Sequence, residues 1–380
     1  MPAFYGPVHA RPGTDNAVMT TPASALTYHA AGVDYDAIDP LKVAAQRAAA
    51  ATAANLAAHG VAEVAASRGE SAYVVDVGPF LGSKALVADE MARLTGRWHY
   101  DAIAQDTIAM AVNDLVTVGA TPLVVQAYWA AGGSDWFADA ARSQALVDGW
   151  KRACDACGVA WGGGETPALA GIVEAGRVDL AASCTGIVQP KSRLSLGASL
   201  APGDAIVLLA SSGIHANGLT LARKLVERLP QGYLTPVTST LNYGEALLVP
   251  TVLYAPVTEA LAREGVAVHY AANVTGHGWR KLMRHPAALT YRVHTLPEVP
   301  AVLRFIQQHA RLDDREAYGT FNMGAGFALY VAEADAQRCA DVARRVGVEA
   351  WVAGRVEPGP RQVLVEPLGL AFGAGELQLR

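Results

Sequence analysis

The chain has 380 residues, of which 52% are hydrophobic and 17% charged, so it is globular and core-rich, with length enough for two domains. A net charge of −5 argues against a nucleic-acid partner, whose usual footprint is a basic patch. No apolar run nears the roughly 18 residues that span a membrane, no basic-then-apolar leader opens the chain, and four cysteines make no disulfide framework, so a cytoplasmic protein is expected.

Residues 1–25 carry Pro2, Pro7, Pro12, Gly13 and Pro22 without periodicity and read as a flexible arm. An extended piece from Leu26 to Asp36 bends at Gly32. Asp39-Pro40 then starts an Ala-rich helix that runs to His59 and stops at Gly60. Glu70 to Asp76 reads as a strand, Gly78 to Lys84 as a loop, and Ala85 to Leu94 as a helix. The next helix, from Asp106 to Val118, is apolar nearly all round, which predicts burial on most sides. Yet it carries Asp106, Asn113 and Asp114. Asp106 and Asn113, seven apart, share one face. Carboxylates seldom enter a core unpartnered. The group is either a set of capping residues or a carboxyl-bearing face for a hydrated Mg²⁺, an ion that prefers oxygen ligands. Gly119-Ala-Thr-Pro122 ends the helix.

A strand over Leu123–Tyr128, a helix over Phe137–Cys157 and a short strand Val159–Trp161 lead into the loop Gly162-Gly-Gly-Glu165-Thr-Pro167. Cys154 and Cys157 form a C-x-x-C on the helix, read as packed thiols or, alternatively, as a redox or metal pair. A strand follows from Asp179 to Val188, and Pro190-Lys-Ser-Arg-Leu194 is the expected boundary between residues 26–190 and 191–380. The second half opens with a strand from Ala205 to Leu209 and the loop Ser211-Ser-Gly-Ile-His-Ala-Asn-Gly218. Helices are expected over Leu219–Arg228, Tyr254–Glu264, Trp279–Arg284, Pro300–His309 and Glu333–Val346. Strands are expected over Ala267–Tyr270, from Phe321 onward, and near Trp351 and Val363. Strands and helices mix in both halves, so the class is α/β or α+β.

The chemistry-bearing residues fall in glycine-rich loops, where backbone N–H groups can approach an anion because no Cβ blocks them. One such loop is Gly162–Thr166. Another is Ser211–Gly218, where His215 and Asn217 precede a helix start that attracts phosphate. Lys84 can meet a phosphate as a point charge or sit at the surface. Neither a Walker A sequence nor G-x-G-x-x-G after a strand is present.

Taken together and in order, the motifs are more specific than any one alone. They are Thr27-Tyr-His-Ala-Ala-Gly-Val-Asp-Tyr-Asp36, Asp106 with Ala109-Met-Ala-Val-Asn-Asp-Leu115, Gly163-Gly-Glu-Thr166, Ser211–Gly218, Val249-Pro-Thr251, Val274-Thr-Gly276 and Thr320-Phe-Asn-Met-Gly-Ala-Gly326. From Leu26 to about Val365 the chain resembles the aminoimidazole ribonucleotide synthetase (phosphoribosylformylglycinamidine cyclo-ligase) family of the AIR synthase-like superfamily. The resemblance implies an N-terminal half that gives strands to a barrel-like sheet shared across a homodimer, a C-terminal α/β sandwich, and ATP in the cleft between them. It implies ring closure of formylglycinamidine ribonucleotide; an ATP-dependent synthetase or kinase of the same fold with another acceptor is the alternative. Carried over by position, Lys84, Asp106, Asn113, Gly163, Gly164 and Thr166 are expected to bind ATP, and Asp76, Asp106, Asp114 and Glu165 the Mg²⁺. His215, Asn217 and Lys84 are expected at the reacting centre. Ser212, Gly213, Thr275, Gly276, His277 and Asn322 are expected on the substrate side.

The sequence departs from the family pattern in three places. Pro79 stands where the family has an aspartate three residues after Asp76, and Val61–Arg68 replaces a glycine-rich segment. His277 takes the place of a loop glycine, so it is expected to occupy pocket volume beside the acceptor. Arg280, Lys281 and Arg284 follow it, as a solvated helix face or as a phosphate contact.

Overall fold

A computed structural model of the protein describes Thr27 and residues 84–377. The expected arm, the Ala-rich helix, the strand at 70–76, Asp76 and Pro79 lie outside the described residues.

Helix α1 (Lys84–Thr95) leads to α2 (Tyr100–Val116), the helix that sequence placed from Asp106. It starts earlier because Ile103 and Ala104 extend the same buried stripe, so Asp106 lies mid-helix and is no cap. Strand β1 (Thr121–Ala131) follows, then α3 (Ala140–Cys157), β2 (Ala160–Glu165) and β3 (Val178–Ile187). Asp139 caps α3, its carboxylate accepting from the Arg142 N–H at 2.9 Å, which moves the helix start three residues past the expected Phe137. These strands form a three-stranded sheet in the order β2-β1-β3, β1 parallel to β2 and antiparallel to β3. Alternation sorts its faces. Val125, Ala127 and Trp129 on β1, with Leu180, Ala182 and Cys184 on β3, point into the core, where Trp129 meets Trp150 of α3 edge-on at 5.3 Å. The opposite face leaves Tyr128 and Ile187 exposed, and Leu123, unpaired at a bulge, is exposed as well.

Backbone turns pin the joint to the second half. Gly119 sits at φ +81°, and a Cβ there would lie 1.8 Å from the Arg193 carbonyl oxygen, so only glycine lets the chain after α2 pass under residues 190–195. The Ser195 N–H donates to the Val118 carbonyl at 3.1 Å beside it.

The second half is built on a seven-stranded sheet. Its strands are β4 (Ala205–Ala210), β5 (Val268–Asn273), β6 (Leu289–Val293), β7 (Ala325–Val331), β8 (Ala350–Pro358), β9 (Gln362–Val365) and β10 (Leu370–Gly373), in the order β10-β9-β6-β8-β4-β7-β5. Central β4 and β7 read Ala-Ile-Val-Leu-Leu-Ala and Ala-Gly-Phe-Ala-Leu-Tyr-Val, apolar without alternation, because both faces are covered. The helices are α4 (Leu219–Leu225), α5 (Tyr243–Leu247), α6 (Ala255–Arg263), α7 (Ala301–Ala310), α8 (Asp314–Thr320) and α9 (Ala336–Arg345). Helix α9 packs on β4 and β8 and against α6. The expected strand at Phe321 begins only at Ala325, after a turn with Met323 at φ +42° and Gly324 at φ +100°. No described helix is long and apolar enough to cross a membrane.

Candidate active site

The site residues gather where α1 and α2 meet the segment 249–254. Lys84 and Asp106 are buried, at 1% and 0% exposure, with Nζ 2.8 Å from Asp106 Oδ2. That approach is an ion contact without hydrogen-bond alignment. Lys84 Nζ instead donates to the Val249 carbonyl at 2.9 Å. Asp106 Oδ1 accepts from the Thr251 N–H at 2.9 Å and from its hydroxyl at 2.5 Å. Asn113, two turns on, donates from Nδ2 to the Val252 carbonyl at 2.8 Å and accepts at Oδ1 from the Tyr254 N–H at 2.9 Å. Gln105 Nε2 donates to the Thr251 carbonyl at 2.8 Å. Burial of these polar groups is thus matched by partners, as a core demands. Lys84, expected at the triphosphate, and Asp106, expected at a metal, are turned on each other and on the 249–254 backbone. Thr251 and Gln105 were missed as site residues, although Val249-Pro-Thr251 was itself one of the recurring motifs.

Asp114, eight residues on and about 80° round α2 from Asp106, joins the start of the 273–278 loop. Its Oδ1 accepts from Asn273 Nδ2 at 2.8 Å. Burial pushes its carboxyl up, and Asn273, Lys281 and Arg284 act against that shift. Lys281 is buried at 9% exposure on a 3-10 turn, Gly278–Met283. The basic run is therefore no solvated helix face: two of its cations lie within electrostatic reach of Asp114. Arg280 stacks over Phe372 at 5.8 Å.

Loop 211–218 is stapled from within. His215 is buried, has φ +59°, and accepts at Nε2 from the Ser212 N–H at 3.1 Å. Burial first, and the nearby Lys84 charge second, pull its pKa down to about 3, so the imidazole is neutral and its proton sits on Nδ1. Ser212 Oγ donates to the Pro250 carbonyl at 2.5 Å. Asn322 is also fully used: Oδ1 accepts from Ser211 Oγ at 2.7 Å and the Gly324 N–H at 3.0 Å, and Nδ2 donates to the Gly213 carbonyl at 2.8 Å. Asn322 thus ties two motif loops together. Gly326 completes the packing, since a Cβ there would stand 2.1 Å from Tyr254 Oη and 2.6 Å from His215 Cε1.

The remaining expected residues are more open. Asn217, Thr275 and Gly276 are half-buried. His277 is buried at 3% exposure and holds φ +70°, a conformation a glycine takes without strain, so it fills protein interior and not an open pocket. Gly163, Gly164, Glu165 and Thr166 lie on or just after β2, which the sequence read as a loop and the structure extends as an edge strand exposed along its whole length. Gly164 has a steric reason: a Cβ would come 2.0 Å from the Ala127 carbonyl oxygen. Gly163 has open space around it.

Among the described residues no group of three or more His, Cys, Asp or Glu side chains could hold a metal ion. Asp106, Asp114 and Glu165 are thus not brought together as one ligand set. The C-x-x-C pair is inert: burial pushes the Cys154 thiol up to about 11 and those of Cys157 and Cys184 up to about 12.

Two family models match the chain, "AIR synthase related protein, N-terminal domain" over residues 69–188 and "AIR synthase related protein, C-terminal domain" over residues 201–366. The chain belongs to the AIR synthase related family. Within that family it is 34% identical over 346 residues to a phosphoribosylformylglycinamidine cyclo-ligase of Nitrosococcus oceani, covering 88% of this chain and 92% of that protein. A cyclo-ligase of the same name from Methanococcus maripaludis is 36% identical over 292 residues, 75% of this chain and 78% of that one. Among solved structures, hydrogenase maturation protein HypE in complex with ATP aligns with a TM-score of 0.53 at 20% identity over 71% of this chain and 78% of its own. The E. coli HypE structure gives a TM-score of 0.52 at 16% identity, over 73% and 80%. These two share the AIR synthase related fold.

Proposed function

We propose that this protein is an ATP-dependent phosphoribosylformylglycinamidine cyclo-ligase of purine biosynthesis. The observation that carries the reading is identity of 34% to a curated cyclo-ligase across 88% of the chain. The same-fold alternative with a different acceptor is not favoured by such relatives. In the proposed reaction ATP phosphorylates the amide oxygen of formylglycinamidine ribonucleotide, the amine attacks that carbon, and phosphate leaves as the ring closes. Such chemistry is chiefly positioning and charge neutralisation.

The residues support different tasks from a simple ligand list. The buried Lys84–Asp106 pair, with Thr251, fixes α2 against 249–254 and so sets where Asn113 and Asp114 stand. The open glycine edge of β2 offers N–H groups to a triphosphate, and Glu165, exposed beside it, is the available carboxylate. Mg²⁺ keeps several waters and takes only one or two carboxylates, so Glu165 would be the residue to hold it here, and the ion would supply neutralisation of phosphate charge. A neutral His215 with Nδ1–H can donate a hydrogen bond but is a poor base near neutral pH.

We further infer a homodimer joined through the outer face of the first sheet, where Tyr128 and Ile187 are exposed beside Leu123. Four free, buried cysteines agree with a reducing compartment, the cytoplasm.

The decisive test is growth of a strain lacking its cyclo-ligase on purine-free medium when this chain is supplied. With purified protein, ATP and formylglycinamidine ribonucleotide should give one phosphate per ring closed. A stable protein that turns over neither substrate defeats the proposal.

A further inference from the structure

A cavity of about 270 Å³ lies at the joint between the two halves, lined by no residue of the motifs above. Val116 at the end of α2 and Gly119 contribute one wall, Arg193 and Ser195 of the connecting segment a second, and Ala262 in the last turn of α6, Val268 of β5 and Leu329 of β7 the rest. Apolar lining predominates over polar. Ser195 is 2% exposed, and its Oγ is buried with no hydrogen-bond partner. A buried hydroxyl left unpaired is unfavourable unless something meets it. The charge at the rim is already balanced: Arg193 Nη2 lies 2.6 Å from Glu259 Oε1, and its Nη1 donates to Thr121 Oγ1 at 2.7 Å. Thr258 is spent as well, donating to the Ala255 carbonyl at 3.0 Å.

We propose that this cavity is a binding site for a small, uncharged, largely apolar ring compound that carries one hydrogen-bonding group for Ser195 Oγ. Its volume is at the lower end of ligand pockets, so the occupant is fragment-sized. An ionic ligand is disfavoured because, among the described residues, no unpaired charge lines the space to receive it. The site has a route to the catalytic face. Val116 stands two residues after Asp114 on α2, and Ser195 is bonded through its backbone to Val118. An occupant braces α2 against the connecting segment and against β5, so it binds the docked arrangement of the halves and stabilises it by mass action.

The test uses the full chain with three probes at millimolar concentration: nicotinamide and benzimidazole as uncharged rings, and butyrate as a charged control. Saturation-transfer NMR should show the two rings bound and butyrate unbound, and the rings should raise the melting temperature. Ala262→Phe fills the cavity from the helix side and should abolish both signals. Ser195→Ala, which leaves the packing intact, should weaken ring binding several-fold and serves if the larger substitution fails to fold. Ring signals that survive both variants, butyrate binding as well as the rings, or no ring binding to the wild-type protein would each overturn the proposal. The readout is binding, so it stands apart from whether the protein closes an imidazole ring.

Discussion

Removing the Lys84 charge tests the central junction most directly. Lys84→Met keeps the length of the side chain but leaves Asp106 buried, at 0% exposure, without its cation 2.8 Å away. Breaking one side of a buried pair costs about 3–5 kcal/mol, and the lost hydrogen bond to the Val249 carbonyl adds about 1 kcal/mol. Asp106→Asn strands the lysine instead, at a similar cost, while its amide oxygen keeps the Thr251 contacts. In the double variant neither charge remains, so most of both penalties disappears. The expected coupling is therefore at least about 3 kcal/mol, the upper end of the range for contacting residues. Urea unfolding followed by tryptophan fluorescence gives all four corners of the cycle. The buried position also makes the coupling insensitive to salt. Two single costs that add to within about 0.5 kcal/mol would refute the reading of Lys84 and Asp106 as a buried pair.

Other expectations follow from single sites. Asp114→Asn relieves a buried carboxylate whose pKa burial raises, so stability should hold while ATP turnover falls; unchanged turnover removes Asp114 from the site. Glu165→Gln, on an exposed edge, should raise the Mg²⁺ concentration needed for turnover and shift stability by less than about 0.5 kcal/mol. His215 has a folded pKa of about 3 against 6.5 ordinarily, so the unfolded chain binds the extra proton between those values. Stability should therefore fall with pH through that window, by up to ~1.4 kcal/mol per unit, and His215→Asn, which tolerates positive φ, should flatten the slope. An identical slope in that variant would show that other groups set it. Gly326→Ala should cost about 1–3 kcal/mol or more by overpacking, and Tyr254→Phe in the same chain should recover part of it, as read from melting curves.

The motif order was legible because loops with fixed glycines and polar heads survive as short strings, and family and fold followed from them. Buried β4 and β7 and the helix around Asp106 were legible from apolar runs. The partners of the polar residues were not, since Lys84 with Asp106 and Asn322 with Ser211 join segments far apart in the chain, and spacing carries no distance. Asp106 and Lys84 in a motif look the same whether they face a nucleotide or each other. His277 looked like an intruder in a pocket because a loop glycine suggests open space; the backbone at φ +70° needed the glycine-like shape, and the side chain turned inward. Helix α8 and strands β6 and β10 were missed because they are short and their stabilisation comes from neighbours, not from local propensity.

The contacts between α1–α2 and residues 249–254 resemble a strand pairing in which side chains replace one backbone. Lys84, Gln105, Asp106 and Asn113 among them satisfy the Val249, Thr251 and Val252 carbonyls and the Thr251 and Tyr254 N–H groups. A pairing of that kind has no register to slip into, because each donor and acceptor is fixed by the pitch of a helix. Sliding α2 by one residue would orphan four of the five backbone groups at once, all but the Val249 carbonyl that Lys84 of α1 holds. The two halves should therefore melt in a single transition, and a fragment ending before residue 249 should emerge from synthesis with a charged and amide-rich stripe where a partner belongs, and stay unfolded until residues 249–254 are supplied.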